Sequence, residues 1–199
     1  MGESRFLRTR RPATTNRRRP SEPRDDGSMN SAARSRFLVI HDYGMGANWW
    51  WVTAVDADEI LETFANVEVL TDDEHLAMVA DWDLSEVDVT GPYPPGLDGL
   101  AAKRAMQRAQ PGYGVLAGRR RAVHLRWEET ATGVTWCTEF TPAGRRSRQV
   151  RINADGEHQA FTEWTIDVPE DLRDPALLEL EITSAEFEAA WAECSPATS

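Results

Sequence analysis

His41-Asp42-Tyr43-Gly-Met-Gly-Ala-Asn48-Trp49-Trp50-Trp51 gathers more chemically capable side chains than any other stretch of the chain. His41 beside Asp42 is the local candidate for acid–base work, since imidazole titrates near neutrality and a carboxylate can orient it. Successive strand residues point to opposite faces, however, so these two would not normally meet. Three consecutive indoles cannot all face one layer. A ring on an outer face, next to a glycine-rich loop, can stack a ligand, a nucleobase or a partner's side chain. The plainer account is a sheet covered on both sides, with every ring in a core. Tyr43, Asn48, Trp49, Trp50 and Trp51 are therefore one candidate binding group. A second is Asp72-Asp73-Glu74, inside a run from Asp56 to Asp98 that holds thirteen acids and no base. No catalytic residue is assigned.

Better-known chemical motifs are missing or malformed. Gly44-Met-Gly46-Ala-Asn-Trp49 lacks the third glycine of a dinucleotide loop, and the Trp49 indole would block close helix packing. Gly112-Tyr-Gly114-Val-Leu-Ala-Gly118 lies in helix–loop–strand order, the reverse of what that loop needs. No P-loop, G-x-S-x-G, H-E-x-x-H or C-x-x-C occurs. The histidines at 41, 75, 124 and 158 have no ligand spacing, so no metal site is expected. No cofactor is expected either. Cys137 lies between Trp136 and Thr138 in a strand pattern and reads as structural. Two cysteines make no disulfide framework, so the expected compartment is reducing and cytoplasmic.

Charge is sorted along the chain. Of 22 basic residues only Lys103 is lysine, and the arginine excess suggests a GC-rich bacterial genome. Residues 1–36 carry ten arginines against four acids, so the formal net charge of −11 leaves −17 on the other 163 residues. Leu100 to Trp127 holds seven bases and no acid; Ile152 to the end holds twelve acids and only Arg173 as a base. Such blocks can build separate potentials of opposite sign, or neutralise one another in the fold. Residues 1–36 lack apolar periodicity and read as a disordered basic tail. No apolar stretch follows its arginines, so it is not a signal peptide, and Met29 is an alternative start. The densest apolar run, Trp49 to Val55, is far too short to cross a membrane.

Phe-Leu-Val-Ile (37–40) reads as a central strand and Trp49 to Val55 as its hairpin partner. Asp56-Ala-Asp-Glu59 has capping-box spacing and opens a helix bearing Ile60, Leu61 and Phe64. Val67–Leu70 reads as a short strand. Thr71-Asp-Asp-Glu74 opens a helix carrying Leu76, Val79, Ala80 and Trp82. This half therefore reads β-β-α-β-α. After the proline-rich 91–96 segment, a helix spans about 97–110. Alternation then predicts four antiparallel strands: around Val123–Trp127, around Trp136–Phe140, at Gln149–Asn153 and at Phe161–Val168. Thr183-Ser-Ala-Glu186 caps a last helix. Trp82, Trp127, Trp136 and Trp191 sit at periodic apolar positions and read as core. The expected class is α+β: a mixed sheet with helices first, then a four-stranded meander with a C-terminal helix. The divisions are 1–36, 37–110 and 119–194.

Arg126-Trp127-Glu128, Thr138-Glu139-Phe140, Arg148-Gln-Val-Arg-Ile with Asp155-Gly156, and Ile182 to Trp191 together resemble a small bacterial domain of unknown function found in immunity-type proteins. The front half, with Phe-Leu-Val-Ile-His-Asp-Tyr-Gly-Met-Gly, looks like uncharacterised actinobacterial proteins. The resemblance implies an α+β fold and a non-enzymatic binding role, and transfers no catalytic residue. Two function classes stand. One is a non-catalytic acidic interaction module of immunity or inhibitor type, binding a basic protein partner such as a nuclease toxin. The other is a small-molecule-binding or hydrolytic enzyme with its site at Tyr43 to Trp51, where Arg104 or Arg108 clamps an anion. Nucleic-acid binding by the arginine tail and the 100–127 block is a weaker third. No membrane role is expected.

Overall fold

The computed structural model describes residues 33–194. The tail reading at residues 1–32 lies outside the described residues. The fold is α+β, with a four-stranded mixed sheet followed by a four-stranded antiparallel one.

The first sheet begins with β1 (Ser35–Asp42) and β2 (Ala47–Ala54), an antiparallel hairpin with Val39 opposite Trp50 and Ile40 opposite Trp49. β1 starts two residues before the anticipated point, so Ser35 and Arg36 belong to the sheet. β3 (Glu68–Leu70) pairs with the outer side of β1, and β4 (Glu86–Asp88) runs parallel to β2, giving the order β3-β1-β2-β4. The β-β-α-β-α reading omitted β4. Three residues with one buried side chain show no period, and parallel pairing with a strand over thirty residues earlier is a tertiary choice.

Both faces of this sheet are covered. One face places Val39, Trp50, Val52 and Ala54 against Ile60 and Phe64 of the α1 region (Ala57–Thr63) and Leu97 of α3 (Leu97–Arg108). The other places Leu38 and Leu70 against Val79, with Trp49, Trp51, Leu76 and Leu84 around them. Asp56 caps α1 by accepting from the Glu59 amide at 2.8 Å. Glu59 reaches back one residue further than a capping box requires, to the Val55 amide at 2.6 Å. α2 (Asp73–Met78) is shorter than expected and is capped by Asp72, whose side chain accepts from the His75 amide. It ends before Trp82, which leaves that indole 45 % exposed instead of in the core.

The second sheet is the meander β5 (Val123–Glu129), β6 (Val134–Phe140), β7 (Arg146–Ile152) and β8 (His158–Phe161). β8 ends where the sequence pattern begins its last strand. The alternation Trp164, Ile166, Val168 imitates a strand, but the Arg146 side chain holds the Ile166 carbonyl and the Asp167 carboxylate, and Ile166 is exposed. One face packs Val123, Leu125 and Phe140 under Leu116, Leu172 and a 3₁₀ helix at Pro175–Leu180. The other packs Cys137 and Val150 under Phe187 of α4 (Ser184–Ala192). Thr183 and Glu186 form a full capping box there. Trp127, Trp136 and Trp191 are half-buried.

Arg104 joins the two halves. Its guanidinium is 1 % exposed and donates from Nη2 to both Asp171 oxygens at 3.0 and 2.8 Å, while Nη1 reaches Gln107 Oε1 at 2.9 Å. Gln107 in turn donates to Asp174 at 2.8 Å. Among the described residues no helix is long and apolar enough to cross a membrane.

Candidate binding surface

Strand alternation sorts the residues around the β1–β2 turn. Asp42 accepts from the Gly44 amide at 2.7 Å and so stabilises the turn, where Gly44 has a φ of +85° that disfavours side chains. His41 points to the opposite face, where its Nδ1 lies 2.7 Å from the Asn66 carbonyl oxygen. The two side chains serve separate backbone groups, as their spacing implied. Tyr43 and Met45 stand out at the tip, 58 % and 97 % exposed. Asn48, opposite His41, is exposed as well.

The three tryptophans divide. Trp50 is 5 % exposed and lies in the core beneath α1 and α3. Trp51 is half-buried on the other face, with the Arg36 guanidinium 4.0 Å above its ring and Arg36 in turn paired with Glu86 at 2.9 Å. Trp49 shares that face. Its ring meets Trp82 edge-on, with centroids 5.7 Å apart, and lies 6.3 Å from the His75 ring. His75 Nδ1 is 2.7 Å from Asp72 Oδ1. The His75 amide and then its ring hold the Asp72 carboxyl below the ordinary aspartate range. Trp49, Asp72 and the adjoining Asp73 and Glu74 are thus brought to one place. Tyr43, Asn48 and Trp50 are not joined to them.

Trp82 belongs to this surface and was missed because helical spacing assigned it to a core. The signal was its immediate neighbours, Asp81 and Asp83. Asp73, Glu74, Asp81 and Asp83 are all exposed and make no ion pair among the described residues. The result is a half-open aromatic pair, with Asp81 and Asp83 on either side of Trp82 in the chain and Asp73 and Glu74 just ahead of His75.

On the α1 side of the first sheet, at its β3 edge, lies a cleft of about 410 Å³ between α1, β3, the β6–β7 turn and residues 169–173. Leu61, Val67, Val69 and Leu172 contribute apolar wall, and Asp58, Glu68, Arg145, Glu170, Asp171 and Arg173 contribute charge. Arg145 donates to Glu68 and to the Asp167 carbonyl. Arg173 pairs with Glu62 at 2.8 Å and Asp58 at 2.9 Å. Burial pushes the Glu68 carboxyl above its ordinary range despite Arg145, and the Asp167 and Asp72 charges add to that rise. The Asp72 and His75 charges reach Glu68, although α1 and α2 cover opposite faces of the first sheet. Desolvation and the Asp171 charge likewise raise the Glu170 carboxyl, although the residue as a whole stands open at the cleft mouth. None of the lining residues is a His, Cys, Ser, Thr or Lys; the walls supply carboxyls and guanidiniums. Residues from 57–69, 117, 142–145 and 169–173 meet here, and no local motif announces them.

The densest charge network lies elsewhere. Glu139 accepts from Arg148, Ser147 and, at 3.1 Å, faces His124, while Arg148 also binds Glu188 of α4. Arg148 first, then Ser147 and His124, bring the Glu139 carboxyl down to about 2. This network straps α4 to the second sheet. Among the described residues no group of three His, Cys, Asp or Glu is placed to hold a metal ion.

Compared with protein-family models, curated proteins and solved structures, the chain matches none.

Proposed function

We propose that the chain is a non-catalytic binding module, of immunity or inhibitor type, whose acidic α2 face engages a basic protein partner. The observation that carries this reading is the Trp49–Trp82 pair, edge-on at 5.7 Å, with Trp82 on a segment whose exposed Asp73, Glu74, Asp81 and Asp83 have no ion-pair partners among the described residues. Aromatic rings with a dry side and an open side are the usual anchors of protein interfaces. Free carboxylates around them steer a basic partner and reject an acidic one. No Lys or Arg occurs between Arg36 and Lys103, so nothing within that span neutralises the face. Binding, not turnover, is also what His41 and Asp42 support, because each is committed to a backbone group of its own.

A fluorescein-labelled octa-arginine peptide is a sufficient probe of the full-length chain. Its binding should be saturable at about 0.1 M salt and largely lost at about 1 M, where the screening length falls from about 10 Å to about 3 Å. Asp73→Lys with Glu74→Lys should slow association much more than it speeds dissociation. Trp82→Ala should raise the dissociation rate at unchanged melting temperature. Binding that ignores both changes would place the contact on another surface and overturn the reading.

A further inference from the structure

The cleft beside β3 has its cations engaged and one of its anions free. Arg145 is bound to Glu68 and the Asp167 carbonyl, and Arg173 to Glu62 and Asp58. Asp171 is taken by Arg104. The Glu170 carboxyl, by contrast, has no side-chain partner among the described residues, although the Asp171 amide donates to it and the Lys103 charge reaches it. Its backbone is fixed all the same, since the Glu170 amide donates to the Gly144 carbonyl at 2.9 Å, and a Cβ on Gly144 would sit 2.3 Å from the Glu170 carbonyl oxygen. The β6–β7 turn and the 169–173 segment are therefore pressed together, and Glu170 is presented at the mouth of a cavity of about 410 Å³. That volume lies within the range of ligand-holding clefts, roughly 300–1,000 Å³.

An anion finds no free donor side chain on these walls. A cation finds Glu170, and apolar surface from Leu61, Val67 and Leu172 for whatever carries it. We infer that the cleft receives one arginine or lysine side chain of the basic partner, with its aliphatic stem along the apolar wall and its charged head on Glu170. Long basic side chains divide between such surroundings readily, since stem and head have opposite preferences. This inference rests on the α2-face reading only for the basic character of the partner; the cleft itself opens on the α1 side of the first sheet.

The test observes backbone amides of the full-length chain by NMR while three probes are added: n-butylguanidinium, its neutral isostere n-butylurea, and octa-arginine. Butylguanidinium and octa-arginine should shift Gly144, Arg145 and Asp171, and butylurea should not. Glu170→Gln should abolish the butylguanidinium shifts and weaken octa-arginine about tenfold. Ala143→Trp, at an exposed turn position on the cleft rim, should do the same by occlusion and guards against a folding effect of the first variant. Asp73→Lys/Glu74→Lys should weaken octa-arginine yet leave the butylguanidinium shifts intact. If octa-arginine binds with the cleft amides still and without regard to Glu170→Gln, the pocket is refuted and the α2-face reading survives. Equal shifts with butylurea also refute the pocket. Cleft shifts with butylguanidinium but no octa-arginine binding would mean a site for free small cations, refuting both the side-chain occupant and the α2-face reading.

Discussion

Removing the Asp171 carboxylate should be among the most destabilising single changes in the chain. Arg104 is 1 % exposed, and both Asp171 oxygens receive its Nη2. Gln107 and the Phe64 carbonyl would remain as neutral acceptors, but Asp171→Ala leaves the guanidinium buried without a counter-charge. Breaking a buried pair in this way costs about 3–5 kcal/mol. The Asn66 amide also loses its 3.1 Å acceptor on Asp171, which pushes the loss toward the upper end of that range. With a urea m-value of about 2 kcal/mol/M, the unfolding midpoint should fall by roughly 1.5–2.5 M. The double variant Arg104→Met/Asp171→Ala removes both charges and keeps an unbranched side chain in the space. It should recover most of the loss, because replacing a buried pair by apolar groups is often close to neutral. Urea unfolding followed by tryptophan fluorescence, with Arg104→Met alone as the remaining corner, supplies all four midpoints needed for the cycle. An Asp171→Ala midpoint within about 0.5 M of wild type, roughly 1 kcal/mol at that m-value, would refute the idea that this pair is what joins the halves. So would a double variant as unstable as the sum of its parts.

Thr183→Ala and Asp56→Ala should each cost about 1 kcal/mol in the same urea assay, the usual worth of an N-cap side chain. Trp50→Ala should cost about 3–5 kcal/mol as a large-to-small core change, while Trp82→Ala, at a half-open ring, should move the midpoint little. Acid should act through Glu139, whose carboxyl sits at about 2 when folded against an ordinary value near 4.5. A lowered folded-state value means the stabilisation is complete above the unfolded value and is lost as pH falls from about 4.5 toward 2. Glu139→Gln should therefore flatten the pH dependence of the midpoint in that window while lowering stability at pH 7; an unchanged slope would show that Arg148 and Glu188 hold α4 without it.

Local chemistry was legible in the sequence where the structure is itself local. The Asp56 and Thr183 caps and the β1–β2 hairpin depend on residues within five positions of one another, and they fall where the spacing puts them. Elements decided by distant partners were not legible. β4 exists because β2 offers its free edge to three residues, and the 162–168 segment leaves the sheet because Arg145 and Arg146 bind its backbone. The same division runs through the candidate site. Alternation along β2 already separates Trp50 from Trp49 and Trp51, whereas the approach of Trp49 to His75 and Trp82 needs the whole α2 crossover.

The charge blocks show how far neutralisation goes and where it stops. The basic stretch at 145–151 takes up Glu68, Asp167, Glu139 and Glu188, and Arg173 takes up Asp58 and Glu62. Arg34 and Arg36 take up Glu59, Asp88 and Glu86 along the edge of the first sheet. Neutralisation is thus the rule for acids next to α1, β3, β4 and β7. It fails at Asp73, Glu74, Asp81 and Asp83, where the folded chain brings up no arginine among the described residues but does bring up two indoles. Asp73 and Glu74 also serve the first turn of α2, where negative charge favours the helix N-terminus, whereas Asp81 and Asp83 lie beyond its end. An incoming basic surface would neutralise the four carboxylates while burying the open sides of Trp49 and Trp82, so both would add to affinity in a complex.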